Sequence, residues 1–112
     1  MKTVETYGAS IFLGLRGGYT NNVSTIKEVN RIVGEYVDEH NMCVSVTPTA
    51  FHYVGGDEPG AIIGLINYPR YPSTKECLKS YALAMATHLK ETFHQNRVSV
   101  MFPDETIMIG DE

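Results

Sequence analysis

The sequence predicts an α+β domain of order β-α-β-β-α-β-β, with two helices packed on one face of a mostly antiparallel sheet. Two stretches, Ile26 to Val37 and Leu78 to Phe93, repeat apolar residues at helical spacing, each behind a hydroxyl-x-x-Glu capping box. Between and around them, blocks such as Ile11 to Leu15 alternate apolar with polar or small residues, the pattern of half-buried strands. A run dense in turn formers, Gly55 to Gly60, separates two of these blocks as in a hairpin. Two helices cover only one face of such a sheet, so the other face meets water or a second subunit.

The first strand is expected from Val4 to Arg16, with Ile11, Leu13 and Leu15 on the core side and Ser10, Phe12, Gly14 and Arg16 on the other. Gly17-Gly18 ends it, and Tyr19 to Asn22 reads as a polar loop. Thr25-Ile-Lys-Glu28 then caps the first helix, whose stripe is Ile26, Val29, Ile32, Val33, Tyr36 and Val37.

The block from Met42 to Val54 contains Pro48, which cannot donate to a ladder, so this strand bends there or lies at an edge. After the turn, Ala61 to Asn67 is an almost continuous apolar strand. Its Ile63 and Leu65 oppose Ile62 and Ile66, apolar on both faces, which points to self-association with ligand sites at or near subunit boundaries. Ser73-Thr-Lys-Glu76 reads as the second capping box, and the helix behind it carries Leu78, Tyr81, Ala82, Met85, Leu89 and Phe93 on one stripe to about Gln95. Arg97 to Phe102 and Glu105 to Ile109 are the last strands, before an acidic tail.

The 112 residues fit one domain, 43% hydrophobic and 20% charged, enough for a single core without disulfides. A formal net charge of −4 excludes broad phosphate neutralisation of duplex nucleic acid, so any anionic ligand is held by a few placed cations. No apolar run reaches the roughly 20 residues that cross a bilayer. Cys43 and Cys77 stand in no metal-ligand or CxxC spacing, which favours a reducing cytoplasm.

Catalytic signatures are sparse. GxxxxGK[ST], GxGxxG and HExxH are all missing, and His40, His52, His88 and His94 have no ligand spacing, so neither metal nor cofactor is expected. The carboxylate pairs Asp57/Glu58 and Asp104/Glu105 sit in turn-forming runs, where they are ordinarily solvated. On this reading the chain is not an enzyme.

Binding chemistry is richer. Asn67-Tyr68-Pro69-Arg70-Tyr71-Pro72-Ser73 joins the apolar strand to the second helix and offers an amide, a guanidinium and two aromatic rings, stiffened by two prolines. With Arg16, Phe51, Tyr53 and Arg97 these residue types suit a nucleotide: rings for the base, an amide for its edge, cations for phosphate. The same stretch also reads as a well-made strand-to-helix turn, Asn67 bonding backbone and the tyrosines packing on the helix. Residue types alone leave the two readings level.

The run Ala61 to Ser73, with Asn22 to Val46 before it and Arg97 to Glu105 after it, resembles the phage-encoded Thoeris anti-defence proteins of the first type. That resemblance implies a sponge that holds glycocyclic ADP-ribose without cleaving it, assembled as a hexamer in the host cytoplasm. It also implies separate pockets for cyclic di- or trinucleotides. Under it, Arg97-Val98-Ser99 corresponds to a basic-x-hydroxyl pair for cyclic oligonucleotides, with Ser99 where the family has threonine. Tyr53 or Phe51, together with Asn67, correspond to the aromatic and amide for the glycocyclic ligand, whereas Arg16, Tyr68, Arg70 and Tyr71 rest on residue chemistry alone. A small oligomeric isomerase of the tautomerase kind is the alternative, although Lys2 stands where that chemistry needs proline. A phage protein-interaction module is the third.

Overall fold

A computed structural model describes residues 1–17 and 22–110; all but Asn22 of the polar loop expected at Tyr19 to Asn22, and the last two acidic residues, lie outside the described residues. The elements are β1 (Gly8–Gly14), α1 (Ile26–His40), β2 (Ser45–Tyr53), β3 (Gly56–Ile66), α2 (Lys75–Thr92), β4 (Arg97–Met101) and β5 (Thr106–Gly110). They form one five-stranded sheet of order β2-β3-β1-β4-β5, every pairing antiparallel, with both helices on one face. The α+β class and the element order are those the sequence predicts.

Alternation along the strands sets the layers. Ile11 and Leu13 of β1, Ile63 and Leu65 of β3, and Val98 and Val100 of β4 point to the helices and are buried. Val29 and Val33 of α1 and Leu78, Ala82, Met85, Ala86 and Leu89 of α2 close over them. All residues of this core are apolar except for the phenol of Tyr7, which reaches Asp104 at 3.1 Å. Truncating a side chain such as Leu89 to alanine here costs about 2–5 kcal/mol, the lost transfer plus the cavity left behind.

The caps explain where the helices begin and end. Thr25 Oγ1 accepts from the Glu28 N–H at 3.2 Å while Glu28 Oε1 accepts from the Thr25 N–H at 3.2 Å, a complete capping box. At the other end Asn41 turns left-handed, with φ 53°, and the Met42 N–H reaches the Val37 carbonyl at 3.1 Å.

Four local expectations are corrected. The N-cap of α2 is Thr74, whose Oγ1 accepts from the Cys77 N–H at 3.1 Å; Ser73 is drawn off because its own N–H donates to Asn67 Oδ1. Tyr81 leaves the buried stripe at 46% exposure and Ala86 replaces it, the smaller residue fitting the close approach of α2 to the sheet. The β2–β3 turn is only Val54-Gly55, Gly55 at φ +89°, so Asp57, Glu58 and Pro59 belong to β3 and pair with β2. Finally, the first strand begins later than expected, at Gly8. Of the two alternatives for Pro48 the edge is the one observed: β2 is an outer strand and runs unbroken through the proline, because one of its sides needs no donor.

Candidate functional site

The nine residues expected to bind ligand fall into two groups on different parts of the fold. Arg16, Phe51, Tyr53, Arg97 and Ser99 belong to the helix-free face of the sheet or its margin. Asn67, Tyr68, Arg70 and Tyr71 belong to the loop between β3 and α2.

Register defines the open face. Across the sheet one row reads Thr47, Ile62, Phe12, Ser99 and Met108, and the next reads Ser45, Gly64, Ser10, Met101 and Thr106. Phe12 meets Phe51 with ring centroids 6.4 Å apart and planes tilted by 58°. The Phe51 ring lies over Gly60, where any Cβ would collide with it. Glycine there is what lets the aromatic ring approach the sheet this closely.

Beside these rings stands Glu58, directly across from Phe51 in the β2–β3 ladder. A Cβ on Gly14 would fall 2.9 Å from Glu58 Oε2 and 2.9 Å from Gln95 Oε1, so both side chains lie over that glycine. The Arg16 backbone N–H donates to Glu58 Oε2 at 3.3 Å, Arg16 Nη1 donates to the Tyr53 hydroxyl at 3.4 Å, and Gln95 Nε2 donates to the Arg16 carbonyl at 2.6 Å. The result is a half-buried carboxylate between two phenylalanines and an arginine–tyrosine pair. Sequence reasoning assigned Glu58 to a solvated turn; its signal was present in the period-two alternation of Glu58, Gly60 and Ile62, which only the shorter turn reveals.

Arg97 and Ser99 lie farther along the same face on β4. Arg97 is exposed and pairs with Gly110, and Ser99 sits between Phe12 and Met108. The two β4 residues therefore flank the aromatic cluster from the opposite side to β2.

The loop group has a different character. Asn67 Nδ2 donates to the Glu5 carbonyl at 2.8 Å, its Oδ1 accepts from the Ser73 N–H at 2.9 Å, and its backbone N–H reaches the Tyr7 carbonyl at 2.9 Å. The carboxamide thus staples the N-terminal segment to the start of α2, the turn-forming role that the sequence left open. Within the loop the Tyr71 N–H closes a turn on the Tyr68 carbonyl at 3.0 Å, and the Arg70 guanidinium lies 5.5 Å from the Tyr71 ring centroid. The Tyr68 phenol is raised above its usual range, first by its hydrogen bond with Cys43, then by burial and by the nearby thiol charge.

Elsewhere, α2 is tied to the β4–β5 turn. Lys75 Nζ reaches Asp104 Oδ2 at 2.6 Å, Lys79 Nζ reaches Glu105 Oε2 at 2.7 Å, and Tyr7 stacks on Phe102 at 6.1 Å. The Lys75 hydrogen bond is the largest cause holding the Asp104 carboxyl below its ordinary value.

No protein-family model matches this sequence, and no curated protein matches it. Two solved structures share its fold over nearly the whole length. A phage SAM lyase in the apo state superposes with a TM-score of 0.80 at 23% identity, over 95% of this chain and 90% of that one. A phage SAM lyase in complex with S-methyl-5′-thioadenosine does so with a TM-score of 0.80 at 20% identity, over 96% and 91%. The expectation of a chain that is not an enzyme is thereby corrected: proteins of this fold are named as lyases. That expectation rested on missing base, metal and nucleophile motifs, and a fold that carries lyase chemistry removes those motifs as a criterion.

Proposed function

We propose that this chain cleaves S-adenosylmethionine, releasing S-methyl-5′-thioadenosine, and that the reacting groups sit on the open face of the sheet. The observation that carries the reading is the near full-length match to SAM lyase, once with that thioether nucleoside bound. The chain itself offers a fitting site: the Phe12 and Phe51 rings for the adenine and the Glu58 carboxylate for the substrate ammonium.

The reaction needs no protein base. The substrate carboxylate oxygen bonds to the γ-carbon as the bond from that carbon to sulfur breaks, and the electron pair leaves with sulfur. The products are neutral S-methyl-5′-thioadenosine and homoserine lactone, and no proton moves. Sulfonium and carboxylate charges both fade towards the transition state, so a water-poor apolar surround favours the step over the folded-back ground state. Holding the substrate in that folded-back conformation supplies the rest. The ammonium keeps its charge throughout, so Glu58 contributes to binding rather than to the chemical step.

Such a surround needs a cover. Met101 and Met108 are 46% and 43% exposed on the open face and Ile66 is 54% exposed at its edge, so a second copy packed on this face buries apolar surface and encloses the ligand. Self-association of this kind is part of the proposal, and it would leave Arg16 and Arg97 at the margins of the covered face.

Capture of a glycocyclic ADP-ribose signal is a second reading, favoured by the two arginines flanking the aromatic cluster. It shares the adenosine half of the ligand and asks Arg16 and Arg97 to meet the pyrophosphate. The two are separated by running the reaction with S-adenosylmethionine in water enriched in oxygen-18 and analysing products by mass spectrometry. Unlabelled homoserine lactone beside S-methyl-5′-thioadenosine supports the lyase; labelled homoserine as the first product means hydrolysis, and intact substrate sinks the proposal.

A further inference from the structure

Near the end of α1, Tyr36 meets His88 of α2 with ring centroids 5.0 Å apart, and just beyond, between the C-cap of α1 and the start of α2, a cleft of about 490 Å³ opens. That volume falls within the range of small-molecule sites.

Its lining is aromatic and uncharged. Leu65 and Leu78 form an apolar floor from the core, and Tyr68, Tyr71 and Tyr81 supply ring surface around it. Tyr71 is 69% exposed and Tyr81 46%, so these two rings stand open to solvent at the cleft instead of filling the core. Besides the tyrosine hydroxyls, the polar groups are Asn41, Cys43 and Ser73, and the hydrogen bond with Cys43 raises the Tyr68 phenol further above its usual range. No acidic or basic side chain lines the cleft among the described residues.

Asn41 is also the C-cap of α1, so the cleft meets the negative end of that helix dipole, while Ser73 and Leu78 bring the first turn of α2, with its positive end, to the same cleft. The two helix ends offset one another, and a phosphorylated ligand would bring charge to a surface with no lining cation among the described residues. Arg70 stacks on Tyr71 but does not line the cleft. Burying an ion under those conditions is costly, while a flat neutral ring gains stacking on the tyrosines and burial against the leucines.

We propose that this cleft is a second binding site, one that takes an uncharged nucleoside and rejects its phosphorylated form. It lies at the end of the sheet on the helix side, reaching Ile66 at the margin of the open face, and does not depend on the lyase reading, whose reacting groups sit around Phe12, Phe51 and Glu58.

Titration calorimetry on the full chain with adenosine and with 5′-AMP tests it, using wild type, Phe51→Ala and Tyr71→Ala. Tyr71 is exposed, so its replacement leaves the core intact, and circular dichroism checks both variants. Adenosine binding is expected to survive Phe51→Ala, which removes only sheet-face stacking, and to weaken about tenfold or more in Tyr71→Ala, as loss of a stacking ring does. In the Phe51→Ala background 5′-AMP is expected to bind about tenfold more weakly than adenosine. Loss of all adenosine binding in Phe51→Ala, no effect of Tyr71→Ala, or equal affinity for both ligands would overturn the proposal. Lyase turnover, measured separately, is untouched by that outcome.

Discussion

The ring of Phe51 fills the space that a side chain at Gly60 would need, and a Cβ there would also fall 2.9 Å from the Leu13 carbonyl oxygen. A methyl at position 60 has nowhere to go without lifting the ring. Gly60→Ala is therefore expected to destabilise the fold by about 1–3 kcal/mol, the usual range for overpacking. It should also weaken nucleoside binding on the open face. Urea denaturation measures the first effect, and unchanged stability would mean that Phe51 rotates away freely.

Glu58 is assigned to a group whose charge does not change during reaction. Glu58→Gln is expected to raise KM for S-adenosylmethionine about tenfold or more, roughly the 1.4 kcal/mol or above of a lost charge-assisted hydrogen bond, with kcat nearly unchanged. Steady-state kinetics separates the two parameters. A fall in kcat at constant KM would place Glu58 in the chemical step instead.

Asn67 makes its bonds within the protein. Asn67→Ala removes hydrogen bonds to Glu5 and Ser73 and is expected to cost about 1–3 kcal/mol of stability, most of it from unpaired backbone groups at the start of α2. Hydrogen exchange at Ser73 should quicken. If stability holds while ligand binding disappears, the carboxamide faces ligand after all.

The tie between α2 and the β4–β5 turn sets a pH dependence. Asp104 is held below its ordinary 3.8, first by Lys75, so its contribution is present above that value and is lost as pH falls through the lower folded value. Lys75 is raised above its ordinary 10.5, first by the hydrogen bond to Asp104, so its contribution is full below that value and is lost as pH rises through the higher folded one. Both groups are solvent-screened, so the effect is small. Thermal melts should show a plateau between these limits, and Asp104→Asn should flatten the acid limb. An unchanged acid limb in the variant would show that the pair contributes nothing to stability.

The open face makes self-association testable by a single charge. Met101→Glu is expected to drive an assembled protein towards monomer in sedimentation at micromolar concentration, and to lower lyase activity with it. A wild-type chain that sediments as a monomer contradicts the expectation.

Most of the fold was legible because its signals are local and periodic. The Thr25–Glu28 box and the alternation from Ile11 to Leu15 each follow from geometry that repeats within one element. Legibility stopped where two elements compete for one group: Ser73 satisfies the capping pattern, yet Asn67, six residues earlier, takes its N–H. The same limit governed the site. Nothing local to Glu58 says that Gly14 leaves room for its carboxylate or that Phe12 and Phe51 stand beside it, because those neighbours come from β1 and β2. Under the proposed reading the chemistry leaves no local trace for a further reason: a reaction driven by the substrate's own carboxylate calls for no base or nucleophile motif.

Lyase turnover is measured by incubating the purified chain with excess S-adenosylmethionine and following the nucleosides by liquid chromatography. S-methyl-5′-thioadenosine is expected to accumulate over many turnovers per chain, at a rate that falls with Phe51→Ala. Recovery of the S-adenosylmethionine unchanged, beyond its spontaneous decay, would contradict the lyase reading.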